Sequence, residues 1–435
     1  MRDLSTALIE VPSCTASGIS ALPSRWAARA RALGLFSGAL SALACGGADS
    51  DSLERASASS TGAPNAPLAP SAEPGQSSGL VEDPPLLGGA CTGQVAEQTF
   101  ASALCSCEDT NIAGYLRTRG LGQDDAPDNL VGSVGVNRNY LTNGYANVGG
   151  SFTVAGTRDV VFGGLLQAGQ DLLFNPAADV AGVIRVGRDA WLADSLRAFG
   201  RVDITRDLYA ADGAGFRGIA LVDVGGARHT QDVSITPPCA CGAGEIIDVP
   251  ALVADARSNN DNASIGLDAD ALNLVVGLGT ALELPSGRFY LNQIGGVGGI
   301  NLRVTGKTAL FIGDDLLATG AFRIELAPDA EIDLFVRGDL ALTGAALFGD
   351  RARPAATRVY VGGSGDVTVA GYGAFVGNLY APTANITVGG FGQIYGSLFG
   401  KNINAAGFLS VGYDAGVQQT GEGCPPNAAD VPRIR

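Results

Sequence analysis

From about residue 110 onward, apolar residues take every second position over short stretches and then give way to Gly, Asp, Asn or Arg. That alternation is the signature of half-buried strands, because successive side chains point to opposite faces. The stretches also recur. Residues 366–382 read DVTVAGYGAFVGNLYAP and residues 385–401 read NITVGGFGQIYGSLFGK. At an offset of 19, Thr368/Thr387, Val369/Val388, Gly371/Gly390, Gly373/Gly392, Gly377/Gly396 and Leu379/Leu398 are identical. A third copy starts at Asn402-Ile403 and runs through Gly407-Phe408 to Val411. Upstream, an acidic corner precedes short apolar strands at Asp171, Asp189 and Asp207, each 18 residues apart, and again at Asp314-Asp315-Leu316 and Gly338-Asp339-Leu340.

A constant offset with short strands between polar corners describes a solenoid turn. The pattern predicts an all-β fold, a single-stranded parallel β-helix with about 18–19 residues and three short strands per rung. An antiparallel sandwich would explain the alternation but not the fixed offset. Rungs are expected from Asn111 to about Ile235 and from Ser264 to about Tyr413, roughly 12–15 in all and some 60–70 Å of rod. Asp248 and Pro250 mark a helix start, with a short helix to about Arg257.

The composition fits that architecture. Of 435 residues, 63 are Gly and only 16% are charged, which suits tight corners and disfavours long helices. The formal net charge of -15, without any basic run, argues against nucleic acid as a partner. The single histidine, His229, lies in what reads as a polar loop and leaves no His-based metal set. No cofactor or catalytic residue is expected.

The N-terminal region reads as an address. Arg25, Arg29 and Arg31 precede an apolar run from Ala32 to Ala44, too short to span a bilayer. The run ends Ala42-Leu43-Ala44-Cys45, which resembles a bacterial lipoprotein signal with Cys45 as the lipidated residue, although Ala42-Leu43-Ala44 also fits plain secretory cleavage. By resemblance to Gram-negative sorting, Gly46 directs the product to the outer membrane or cell surface; periplasmic or secreted protein is the alternative. The expected layout is a signal peptide (1–44), a disordered Gly/Ala/Ser/Pro tether (45–90), an N-terminal β-helix part (91–236), a C-x-C and short-helix insertion (237–263), a C-terminal β-helix part (264–416) and a tail (417–435).

Six cysteines follow the tether: Cys91, Cys105, Cys107, Cys239, Cys241 and Cys424. In an exported chain they read as disulfide partners, and sequence leaves the pairing open. The C-x-C pairs Cys105/Cys107 and Cys239/Cys241 could cross-link side by side; four thiolates on zinc are the rival, at an unusual spacing. The cysteine-bearing terminal segments around Cys91 and Cys424 are expected to cap the rod, which predicts a monomer. Among carboxylates, Asp329, Glu331 and Asp333 share one strand face, suited either to calcium or carbohydrate or to plain solvation. Asp314/Asp315 and Asp268/Asp270 are further acidic pairs. Tyr372, Phe391 and Phe408 recur near the repeat spacing and form either an internal stack or a carbohydrate-binding stripe.

The runs LELPSGRFYLNQIGG, LFIGDDLLATG, AEIDLFVRGDLALTG, FVGNLYAPTANITV and QIYGSLFGKNI, with the closing VGYDAGV, resemble a bacterial family of exported β-helix proteins of unknown function. Some of its members are lipoproteins and some are associated with pili or surface components. The resemblance covers Leu282 to Val417; where that family often has His-Tyr-Asp, this chain has Gly412-Tyr413-Asp414. The short Gly-rich rungs are also distantly similar to those of bactofilins. The resemblance implies a membrane-tethered surface protein with a structural, adhesive or envelope role, meeting cell-surface glycans or pilus and envelope proteins. The alternative is a carbohydrate-binding or carbohydrate-cleaving rod that uses acidic residues on one face.

Overall fold

A computed structural model describes residues 95–96, 99–121, 132–218, 221–277, 279–343, 346–370 and 374–420. All of them lie in one compact unit, Leu80–Arg435. Its short strands pair in parallel and stack into a β-solenoid of about 13 turns. A regular rung has three strands, for example Leu166–Ala168, Leu172–Phe174 and Ala178–Val180. The sequence repeat is the structural register: Thr368 pairs with Thr387 and Val369 with Val388.

The interior is a set of apolar columns. Val134, Phe152, Leu172, Ala190 and Leu208 occupy one inward position in successive rungs and are buried. Each Leu or Phe removed from water in this way contributes about 1.5–3 kcal/mol. The corners use the predicted acids. The Asp189 amide donates to Asp171 Oδ1 (3.1 Å), the Asp207 amide to Asp189 Oδ1 (2.9 Å) and the Ala227 amide to Asp207 Oδ1 (2.7 Å). Each carboxylate thus caps the equivalent amide one rung on, where the strand ladder is interrupted. In the C-terminal part, Asp339 donates to Asp315 Oδ1 at 2.7 Å in the same way.

The order of rungs differs from the order of the chain. The strand Leu104–Ser106 pairs on one side with Val134–Val136 and on the other with Leu398–Gly400. The strand Thr110–Gly120 pairs with Ile403–Tyr413 over its whole length. The first rung of the N-terminal part therefore sits on the last rung of the C-terminal part. The described chain ends meet near the middle of the rod, where the Tyr413 hydroxyl donates to the Phe100 carbonyl at 2.7 Å. This corrects the expectation that the terminal segments cap the rod ends. Cys91 and Cys424 themselves lie outside the described residues.

The two true ends of the rod differ. At one, Arg228 takes an inward position, in register with Leu208, and donates to the Val222 carbonyl at 3.3 Å. At the other, the Asn262 amide acts as a substitute rung: its Nδ2 donates to the Tyr290 carbonyl (2.7 Å) and its Oδ1 accepts from the Tyr290 amide (2.9 Å). Asp261 does the same for Arg288 through Oδ2 (2.8 Å) and its own amide (2.7 Å). At this second end the contacts satisfy edge groups that would otherwise template further pairing, whereas the strands Leu221–Val224 and Arg228–Thr230 at the first end are largely exposed.

Such a rung order forces residues 231–261 to run back along the rod. From Thr230 to Cys239 the chain advances nine residues (239 − 230) while passing six rung pairings. Six spacings of about 4.8 Å need about 29 Å, and nine residues supply at most about 30–32 Å. The segment is consequently extended and without regular structure. Beyond it, helix α1 (Val249–Ala256) starts at Asp248, whose Oδ1 accepts from the Ala251 amide at 2.9 Å, as predicted. Helix α1 packs Val249, Val253 and Ala256 onto the outer face of the C-terminal part. That face is consequently buried on both sides, as in parallel sheets covered by helices. The N-terminal part repeats every 18–20 residues, as in Phe152–Leu172–Ala190–Leu208. The C-terminal part departs from the expected 18–19: Phe311, Phe335 and Tyr360 are in register at steps of 24 and 25 (335 − 311, 360 − 335).

Candidate functional site

One outward column of side chains runs along the whole rod. In register it reads Tyr290, Phe311, Phe335, Tyr360, Tyr380, then Phe399, Cys105, Gly135, Thr153, Leu173, Trp191, Tyr209 and His229. In the C-terminal part the column is aromatic and lies beneath α1 and Phe100. Phe311, Phe335 and Tyr360 stack with centroids 4.9 and 4.7 Å apart. The sole histidine is in a strand rather than a loop. His229 ends an outer stack in which Trp191 and Tyr209 are 3.8 Å apart and Tyr209 and His229 4.7 Å.

The cysteines sit at the middle of this column. Cys105 pairs with Cys239 and Cys107 with Cys241, so the two C-x-C motifs cross-link in parallel and the zinc reading is set aside. Neighbouring amide contacts fix the returning segment: the Cys239 amide donates to Asn137 Oδ1 (2.8 Å) and Asn137 Nδ2 to the Cys239 carbonyl (2.9 Å). Gly135 suits this close packing, because a Cβ would stand 3.1 Å from both the Cys105 and the Cys239 sulfur. Cys45 lies outside the described residues.

The acidic candidates have structural partners. Asp329 occupies a left-handed turn (φ 62°), a conformation Asp tolerates. Asp333 is buried and accepts from Arg358 Nε (2.6 Å) and Nη2 (2.9 Å). Glu331 binds the same guanidinium at 3.0 Å and Lys307 at 3.4 Å. Burial opposes the Arg358 charge, but the adjoining Asp333 carboxylate outweighs it and holds the guanidinium above its ordinary pKa. These oxygens are committed to an internal cation rather than open to calcium. Asp315 caps a corner, and Asp270 holds Asn292 and Asn273 in the end loop, hydrogen bonds that lower its pKa.

The aromatic repeat continues across the junction. Phe408 stacks on Tyr115 of the N-terminal part (5.1 Å, 10°), and Tyr115 meets Tyr145 edge-on at 6.2 Å. Tyr372 and the Phe391 side chain lie outside the described residues. The stack is on the outer surface, half-buried at Tyr115 and Phe408 and 48% exposed at Tyr145. The Tyr145 ring lies against Gly164, where a Cβ would come within 2.0 Å of Cε1.

Beside this stack a groove of about 540 Å³ crosses the junction. Asn111, Thr142, Asn143 and Arg158 line it from the N-terminal part and Thr387 and Asn404 from the C-terminal part. Ala113, Leu141, Gly389 and Ala406 give it a small apolar surface. Asn111 Nδ2 donates to Asn404 Oδ1 at 3.3 Å. The Thr142 hydroxyl is tied to the Ile112 carbonyl at 2.7 Å. Among the described residues Arg158 is exposed and makes no ion pair. The bend that shapes the groove is at Gly114, where a Cβ would strike the Gly407 carbonyl oxygen at 2.1 Å. None of these residues was among the sequence candidates, but a signal exists. Asn111-Ile112-Ala113-Gly114-Tyr115-Leu116 parallels Asn404-Ala405-Ala406-Gly407-Phe408-Leu409 and is a further copy of the repeat, displaced 293 positions along the chain (404 − 111).

Residues 241–420 match a protein family described as a domain of unknown function (DUF7305). The match holds the C-terminal part of the rod and α1, and leaves out the N-terminal part that stacks upon it. No curated protein matches the sequence. Among solved structures, the chain is similar to the crystal structure of an ice binding protein from an Antarctic bacterium Flavobacteriaceae. That similarity has 11% identity and a TM-score of 0.21, and spans 74% of this chain and 98% of that one. Likeness at that level assigns no ligand.

Proposed function

We propose that this protein is an exported, lipid-anchored surface rod with an adhesive or envelope-associated role and no catalytic centre of its own. The observation that carries the reading is the pair of adjacent disulfides, which belong to an oxidising compartment and here secure a returning segment to the rod. The commitment of Asp315, Asp333 and Glu331 to caps and ion pairs supports a non-catalytic reading. The anchor in this proposal is Cys45, from the resemblance of Ala42-Leu43-Ala44-Cys45 to a lipoprotein signal. The described chain ends meet at the waist of the rod, a geometry that lets an anchored chain display both rod ends away from its attachment. The edge groups met by Asn262 and Asp261 at one rod end support a monomer.

The test is expression in a Gram-negative host with labelled palmitate. Label in the full chain, lost in Cys45→Ala, together with surface accessibility to protease, is the expected result. An unlabelled protein retained in the cytoplasm with free thiols overturns the reading. Release of defined oligosaccharides from a polysaccharide panel overturns its non-catalytic part.

A further inference from the structure

We infer that the junction groove is a binding site for a polysaccharide containing uronic acid residues, an assignment that rests on the surface-rod reading above. The argument is from matching chemistry. A pyranose ring presents apolar C–H faces and a rim of hydroxyls that both donate and accept. Side-chain amides do both as well, and Asn111, Asn143 and Asn404 bring three of them to one groove. Ala113, Ala406 and Gly389 supply a surface free of bulky side chains against which a sugar ring can lie. Two residues beyond Asn143, Tyr145 stands 48% exposed with its ring against Gly164, an aromatic neighbour for the next sugar along.

Charge selects among glycans. The chain carries a net charge of -15, and most arginines on the N-terminal corners answer an acid, as Arg188 does Asp171 and Arg206 does Asp189. Arg158, exposed at the groove's edge, has no such partner among the described residues. A planar guanidinium matches a sugar carboxylate through paired hydrogen bonds. The site also needs both parts of the rod, since Asn111 and Asn404 come from opposite sides of the junction. The matched family segment alone would carry only half of it.

Calorimetric titration of the full chain with oligomeric polygalacturonate tests the assignment, with dextran and dextran sulfate as the uncharged and the polyanionic comparison. Saturable binding to polygalacturonate is expected, with little to dextran or dextran sulfate. Arg158→Gln is expected to weaken it at least about tenfold, and Asn404→Ala and Tyr145→Ala several-fold, all with intact disulfides and unchanged circular dichroism. Arg185→Gln, an exposed arginine of the strand Ile184–Val186, is expected to leave it unchanged. Equal losses in Arg158→Gln and Arg185→Gln, or tighter binding of dextran sulfate, overturn the proposal in favour of general anion attraction. If the wild type binds no polygalacturonate yet remains labelled and surface-exposed, the groove assignment fails and the surface-rod reading stands.

Discussion

The two parts of the rod share one repeat and differ in how many cores they build. In the N-terminal part, residues 104–230, apolar side chains point inward and the outer positions meet solvent, as in the strand Ile184–Val186 with Arg185 exposed between two buried residues. In the C-terminal part, residues 280–413, the outer positions of one face are buried too: Phe335, Tyr360 and Tyr380 lie under the returning segment, α1 and Phe100. A rung that carries a second layer gains burial that a bare rung lacks, and the N-terminal part depends more on its junction and its corner caps.

The disulfides are the sharpest place to break this comparison. Each closes a loop of 134 residues, and a loop of that size confers about 5 kcal/mol for the first bond, less for a second bond closing nearly the same loop. Replacing Cys239 and Cys241 by Ser is expected to separate one thermal transition into two, the N-terminal part melting first. Amide hydrogen exchange reads this directly; equal loss of protection in both parts would show that the junction is not the weak point.

Equivalent outward positions offer the next contrast. Phe335 and Leu173 occupy the same column, one fully buried and one half-buried without a covering layer. Phe335→Ala is expected to cost about 3–5 kcal/mol, and Leu173→Ala under about 1 kcal/mol. Denaturant titrations that give equal losses would remove the second core from the account.

Alkaline pH probes burial of a different kind. Burial raises the pKa of Tyr140, Tyr360 and Tyr413 above the ordinary tyrosine value. For a group whose folded pKa is raised, stability is complete below the unfolded pKa near 10 and falls as pH rises through the interval above it. The slope is about 1.4 kcal/mol per pH unit for each such tyrosine. Tyrosinate absorbance is expected to appear together with loss of circular dichroism; early titration of these tyrosines in a folded protein would contradict their burial.

The smallest expected effect is at a corner. Asp189→Ala removes the acceptor for the Asp207 amide and the carboxylate beside half-exposed Arg206, for an expected loss of about 1 kcal/mol. Chemical denaturation that shows no change would mean the corner amides are equally well served by water.

Much of this was legible in the residues. The 19-residue offset is the register of Thr368 on Thr387, and Asp171, Asp189 and Asp207 are the corner ladder that their spacing announced. Such local features follow from chemistry each rung carries within itself: alternation, glycine at bends, an acid able to cap an amide. The groove was not legible, since Asn111 and Asn404 are neighbours only because the chain stacks its beginning on its end. Nor was the fate of Asp333, whose alternation with Ile332 and Leu334 reads the same whether its face meets water or, as here, Arg358.

The sequence by itself determined the kind of rung and its inward face, because these depend on neighbours a few residues away and on an offset that repeats. Which rungs meet across the junction was decided by the tertiary structure alone. Any rung edge of this repeat can pair with any other, since the backbone ladder is the same along the rod. The choice rests on long-range terms: the extended reach from Thr230 to Cys239, two disulfides across 134 residues, and an aromatic face that must be covered.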